Sequence, residues 1–166
     1  MRIFGISGFS GSGKTTLIER LLPQLAGRGL RVSVIKHTHH DFDLDTPGKD
    51  SWRFRAAGAG EVLLASERRW ALLAETPAGA SLDALLARLG ACDLVLVEGY
   101  KREPVPRLEV HRAATGKPWL FPDDPHILAV ASDCPPPQAV RRFDLDDIAS
   151  ICQFIIDHAH SRTTPR

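Results

Sequence analysis

The chain has 166 residues, 43% hydrophobic and 25% charged, which excludes disorder and fits one domain that buries roughly two-thirds of its unfolded surface. Its 21 basic and 20 acidic residues nearly cancel, so a general basic footprint for nucleic acid is absent. Cys92, Cys134 and Cys152 are far apart without Cys-x-x-Cys spacing, and no uncharged apolar stretch nears the ~20 residues of a membrane span; reduced thiols in a cytoplasmic protein are expected.

Arg2 to Ser7 (RIFGIS) reads as a short strand followed by a loop of small residues. Leu17, Ile18, Leu21, Leu22 and Leu25 then recur at helical spacing, with Gly27 and Gly29 as the stop. Pro23 lies inside that helix, where its missing N–H and crowded ring predict a kink or an early end. Arg31 to Lys36 (RVSVIK) is a second strand, completing a right-handed βαβ unit. A polar stretch from His37 to Lys49 leads to a helix over 50–60. Strands are predicted at Glu61 to Ala65 and Trp70 to Glu75 around a charged turn, and a helix at Ser81 to Leu89 with Ser81 as a cap.

Asp93 to Val97 (DLVLV) has the continuous apolar run of a strand buried on both faces. Arg107 to His111 and Ile127 to Ala131 read as further strands, and Pro135 to Pro137 as a loop. The last helix is predicted from Asp146 to His158, capped by Asp144 and Asp147. Residues 1–160 are expected to form one three-layer α/β domain with a mostly parallel sheet, and 161–166 a flexible tail.

Gly8-Phe9-Ser10-Gly11-Ser12-Gly13-Lys14-Thr15 matches G-x-x-x-x-G-K-[ST] at every fixed position. It follows a predicted strand and opens a predicted helix, as its mechanism requires. Its start at residue 8 leaves no room for a leader peptide, so none is expected. Gly8, Gly11 and Gly13 let the backbone curl until successive N–H groups, with Ser12, converge on phosphate oxygens at the positive end of a helix. Lys14 is placed to reach the β- and γ-phosphates, and the Thr15 hydroxyl to ligate Mg²⁺.

Glu98 follows DLVLV directly, at the carboxyl end of a central strand, where open α/β sheets bind ligands. It serves there either as an acidic partner for the metal or as an ordinary turn residue before Gly99. Asp50, at the start of its helix, is a second candidate for the nucleotide's metal. The stretch from Lys36 and His37 through His39, His40 and Asp41 to Asp45 lines either a phosphate site or a transition-metal site, or is a solvated loop. Asp133 is either an acceptor for hydrogen bonds from a nucleotide base or a turn former before Cys134-Pro135. Arg107-Leu108-Glu109-Val110 alternates as an exposed strand does, to pair across a dimer or at an internal edge.

GFSGSGKTTL, VIKHTHHDFDLDTPGKDSWRFRAAGA and VEGYKREPVPRLEV, in this order and separation, resemble the MobB family of molybdopterin-guanine dinucleotide biosynthesis adapter proteins. The resemblance is close over residues 2 to about 112 and looser beyond. It implies a homodimeric P-loop protein that binds GTP with Mg²⁺, has weak GTPase activity, and assists the MobA nucleotidyltransferase that joins GMP to molybdopterin. Direct contact with molybdopterin is left open, and neither nucleic acid nor a membrane is an expected partner. Carried over by position, the phosphate residues are Gly11 to Thr16, including Thr16, with Lys36-His37 beside them. The chain is also similar to dethiobiotin synthetase, in which residues matching Lys36, Asp50 and Glu98 serve phosphates and Mg²⁺; Lys14 and Lys36 are then the catalytic lysines.

Two other functions compete. The histidine cluster at 37, 39 and 40 suits a metallochaperone GTPase of the nickel-delivering kind, although no Cys-Pro-Cys supports it. The dethiobiotin-synthetase likeness suits an ATP-dependent small-molecule kinase or ligase. No catalytic glutamine or arginine finger is evident; Arg53, Arg55, Arg102 and Arg107 are candidates for a finger, or are surface or phosphate contacts.

Overall fold

A computed structural model describes residues 1–38, 45–100 and 103–162. Two compact units make up the chain, residues 1–37 with 82–166, and residues 38–81.

The larger unit is built on a sheet of seven strands. Six of them, β1 (Arg2–Ser7), β2 (Val32–Lys36), β5 (Leu94–Glu98), β6 (Arg107–His111), β7 (Ile127–Ser132) and β8 (Arg141–Phe143), run parallel in the order β2-β5-β1-β6-β7-β8. The seventh, β9 (His160–Ser161), pairs antiparallel with Arg2 and Ile3 at the start of β1. Alternation along the central strands divides the core into two layers. Phe4, Ile6, Leu94, Leu96, Leu108 and Val110 face α1 (Lys14–Gly27) and α4 (Ile148–His158). Ile3, Ile35, Val95 and Val97 face α3 (Leu82–Arg88) on the other side. This is the expected three-layer α/β arrangement.

Helix α1 runs through Pro23, so the early end expected there does not occur. Pro23 and Glu19 are both exposed, so the carbonyl of Glu19 that loses its N–H partner is left to water. The helix ends instead at Gly27, and Gly29, two residues on, takes the left-handed conformation at φ +78. Its N–H bonds to the Ala26 carbonyl (2.9 Å) and that of Leu30 to the Leu25 carbonyl (3.3 Å), closing a Schellman motif. Helix α4 starts two residues later than predicted; Asp147 caps it by accepting from the Ser150 N–H at 3.2 Å.

In the smaller unit, α2 (Asp50–Ala56) is shorter than predicted. Gly58, at φ +103, turns the chain out of the helix, and its N–H bonds to the Arg55 carbonyl. Strands β3 (Glu61–Ala65) and β4 (Trp70–Ala74) form an antiparallel hairpin closed by the Ser66 N–H on the Arg69 carbonyl.

Sequence reasoning missed β8 and β9, which are three and two residues long and carry too few side chains for a period. The exposed reading of β6 is also corrected. All five of its residues are buried, and it is an internal strand between β1 and β7.

Candidate functional site

Because the main strands are parallel, their carboxyl ends share one edge of the sheet. Lys36, Ile6 and Glu98 stand level there, since Glu98 is in register with both of the others. The chain leaves β1 through Gly8, whose φ of +142 favours glycine. A Cβ at that position would collide with the Val110 carbonyl oxygen and would lie 2.7 Å from Ser12 Oγ. The loop closes with the Ser12 N–H on the Phe9 carbonyl (3.2 Å), and Gly13, left-handed at φ +96, caps α1. Thr15 and Thr16 fall in the first turn, whose N–H groups have no intrahelical acceptor and carry the positive end of the dipole.

Three of the predicted charged residues come together here. Glu98 is only 8% exposed; its Oε1 lies 3.9 Å from Lys14 Nζ and its Oε2 3.8 Å from Lys36 Nζ. Lys14 also donates to the Phe9 carbonyl at 3.0 Å. One buried carboxylate thus stands between two ammonium groups beneath a helix N-terminus. His37 continues the β2–β5 ladder, its N–H on the Glu98 carbonyl at 2.8 Å, and its ring packs 4.5 Å from that of Tyr100. A Cβ on Gly99 would lie 2.8 Å from His37 Cβ, so glycine is required where the chain turns away from Glu98. Tyr100 follows at φ +49, a conformation that non-glycine residues rarely adopt.

The donor set fits a nucleotide and its metal. Ser12 Oγ is buried, at 2% residue exposure, and has no hydrogen-bond partner, which is costly unless a ligand oxygen satisfies it. Mg²⁺ typically takes one or two protein oxygens together with substrate phosphates and water, and Thr15 with Glu98 supply that number. No group of three His, Cys, Asp or Glu able to hold a metal occurs among the described residues. His39 and His40, on which the transition-metal reading rests, lie outside the described residues, as does Arg102. Asp50 belongs to the smaller unit, at the start of α2, with its carboxylate 3.8 Å from Arg53. In the same unit Arg55 pairs with Asp45 and Glu75.

Asp133 follows β7, and its Oδ1 accepts from the Ala113 N–H at 2.9 Å, tying the end of β7 to the segment after β6. The alternating polar residues of β6 are enclosed by that segment. Arg107 is fully buried, 3.4 Å from Asp124, and bonds to the carbonyls of Val105 and Glu103. Glu109, also fully buried, accepts from the N–H groups of Leu120 and Phe121 at 2.9–3.1 Å. Burial pushes the Glu109 carboxyl above its usual range, against the pull of those two N–H donors. His111 stacks on Trp119 at 3.7 Å. Arg107 is therefore a structural ion-pair member and not a surface finger. A concavity of 290 Å³ lined by Ser7, Leu120, Asp123 and Asp124 opens beside these residues. A larger one, of 690 Å³, lies at the amino ends of the strands among Arg2, Cys92, Asp93 and Arg162, away from the edge where such sheets bind ligands.

Sequence reasoning also missed Arg112. Its Nε would lie 3.2 Å from a Cβ built on Gly13. Ninety-nine positions separate the two residues, and no local pattern links them.

A glycine loop between β1 and α1, a lysine on its helix and a carboxylate at the end of the neighbouring parallel strand define a P-loop NTPase fold. The MobB family model, described as molybdopterin guanine dinucleotide synthesis protein B, matches residues 3–133. A molybdopterin-guanine dinucleotide biosynthesis adapter protein from Haemophilus influenzae is 47% identical over 160 residues, 95% of this chain and 89% of that one. Its counterpart in Escherichia coli is 42% identical, covering 93% and 91%. A crystal structure of molybdopterin-guanine biosynthesis protein B superposes with a TM-score of 0.75 at 33% identity, covering 93% of this chain and 98% of that one. The chain belongs to the MobB family.

Proposed function

We propose that the chain is a GTP-binding adapter with weak GTPase activity, assisting the MobA-type nucleotidyltransferase that attaches GMP to molybdopterin. The observation that carries this reading is the grouping of Lys14, Glu98 and Lys36 beneath the P-loop, in a chain whose relatives are named as adapters of this biosynthesis. The P-loop backbone, Ser12 and Lys14 bind the phosphates, Lys36 adds charge at the neighbouring strand end, and Thr15 and Glu98 hold Mg²⁺. The metal would neutralise charge on the phosphates. His37, next to Lys36, is a further candidate for the phosphate environment.

Slow turnover fits this constellation. Phosphoryl transfer depends on positioning, charge and an oriented water, and no glutamine occurs in the segments that follow β2 or β5. For the base, the second carboxylate oxygen of Asp133 would accept from guanine, while the first is held by Ala113.

No helix among the described residues is long and apolar enough to cross a membrane. The smaller unit exposes Phe54, Leu63, Leu64 and Trp70, apolar surface that a homodimer or the transferase would cover. The adapter role is tested by reconstituting GMP transfer to molybdopterin with the transferase and GTP. Addition of this chain is expected to raise the yield of dinucleotide, and Lys14→Ala to remove the gain. An equal gain from both proteins contradicts the nucleotide-dependent role.

A further inference from the structure

We propose that Arg112 is an anion-contacting residue of the P-loop, gripping the polyphosphate of the bound nucleotide from the β6 side. The inference rests on the nucleotide reading above and adds to it a residue, and a direction of approach, that the P-loop motif does not contain.

Arg112 is the first residue after β6, the strand next to β1. A Cβ on Gly13 would lie 3.2 Å from its Nε and 3.6 Å from its Nη2, so the guanidinium lies against the glycine that caps α1. That placement is electrostatically costly. The guanidinium stands at the positive end of a 14-residue helix, beside the residue that precedes Lys14. Among the described residues no carboxylate lies within ion-pair distance of it. Gly13 therefore does two things: it takes the left-handed conformation and it leaves room for the arginine.

A second, independent feature of the loop points to the same anion. Ser12 Oγ, next in sequence to Gly13, is buried without a hydrogen-bond partner. An unpaired hydroxyl and an uncompensated guanidinium on either side of one glycine are both satisfied by phosphate oxygens, which accept from each.

The arginine's backbone is fixed for this role. Thr115 donates to the Arg112 carbonyl through both its N–H (3.1 Å) and its Oγ1 (2.8 Å). Asp133 holds the next residue by accepting from the Ala113 N–H. Arg112 thus projects from a segment anchored to β7 as well as to β6, and Asp133 is a positioning residue for it.

The test is calorimetric titration of wild type, Arg112→Ala, Arg112→Lys and Lys14→Ala with Mg²⁺-GTP and with inorganic pyrophosphate, alongside the melting temperature of each ligand-free protein. Arg112→Ala is expected to weaken both ligands by about tenfold or more, the usual effect of deleting a charged hydrogen-bond donor. Arg112→Lys, which keeps the charge without the fork, is expected to recover part of the loss. The ligand-free melting temperature should hold or rise, because a repulsion has been removed. Unchanged affinity in Arg112→Ala while Lys14→Ala loses binding overturns the role of Arg112 and leaves the nucleotide reading intact. A loss that accompanies a lower ligand-free melting temperature and is not rescued by lysine also overturns it, marking Arg112 as structural. Wild-type protein that binds neither ligand overturns the nucleotide reading and this inference with it.

Discussion

Replacing Glu98 by glutamine probes the charge arrangement at the centre of the site. The side chain is 11% exposed, and its carboxylate lies 3.9 Å from Lys14 and 3.8 Å from Lys36. At 3.9 Å and an effective dielectric of about 20, the Lys14 attraction is about 4 kcal/mol before desolvation. Recovered desolvation offsets part of this, leaving a net loss of about 2 kcal/mol, below the roughly 3–5 kcal/mol of breaking a fully buried, hydrogen-bonded ion pair. The Lys36 side chain is 55% exposed, so water screens its share and it adds little. The ligand-free protein should melt about 4–8 °C lower, as expected for a chain of this length.

Ligand binding should shift in opposite directions for metal and anion. Two ammonium groups without their counter-charge draw metal-free pyrophosphate more tightly, whereas Mg²⁺ loses an oxygen ligand and adds less to GTP affinity. Titrations with pyrophosphate in EDTA, and with GTP across a Mg²⁺ series, separate the two effects. A Glu98→Gln protein with wild-type melting temperature and wild-type Mg²⁺ dependence would refute this account of the carboxylate.

Gly99→Ala places a methyl group 2.8 Å from His37 Cβ at a φ of +98. Strain and overpacking together should cost about 2–3 kcal/mol in urea unfolding, and a loss below about 0.5 kcal/mol would show that the turn yields freely. Asp93 marks a pH effect at the opposite end of the strands. Hydrogen bonds from Arg31 (2.8–3.1 Å) lower its carboxyl to about 2. A depressed folded-state pKa stabilises above the unfolded value of about 3.9 and loses that contribution as pH falls through the folded one. The stability difference between wild type and Asp93→Asn should therefore be flat above pH ~5 and shrink between pH ~4 and ~2. A difference that grows on acidification would contradict the assignment.

Features with a local cause were legible in the sequence. The P-loop announces itself because glycine spacing, lysine and the switch from strand to helix fall within fifteen residues. Glu98 was found because a strand buried on both faces has a continuous apolar signature, and the first carboxylate after it must stand at the strand's end. Pro23 misled because the penalty of a helical proline depends on whether the orphaned carbonyl meets water, and exposure is a tertiary property. The RLEV alternation misled for a related reason. Period two records which residues share a face, but what covers that face here is a segment 11 to 17 residues downstream, where Leu120, Phe121 and Asp124 satisfy Glu109 and Arg107. Arg112 meets Gly13 only because the sheet order sets β6 beside β1, and strand order is not written in any local period.

The central claim, a guanine nucleotide held on the P-loop, is tested most directly by calorimetric titration of the protein with GTP and ATP in Mg²⁺, alongside Lys14→Ala. Clear preference for GTP, abolished by Lys14→Ala while the variant still melts cooperatively, is the predicted result. Preference for ATP, or GTP binding that survives Lys14→Ala, would contradict it.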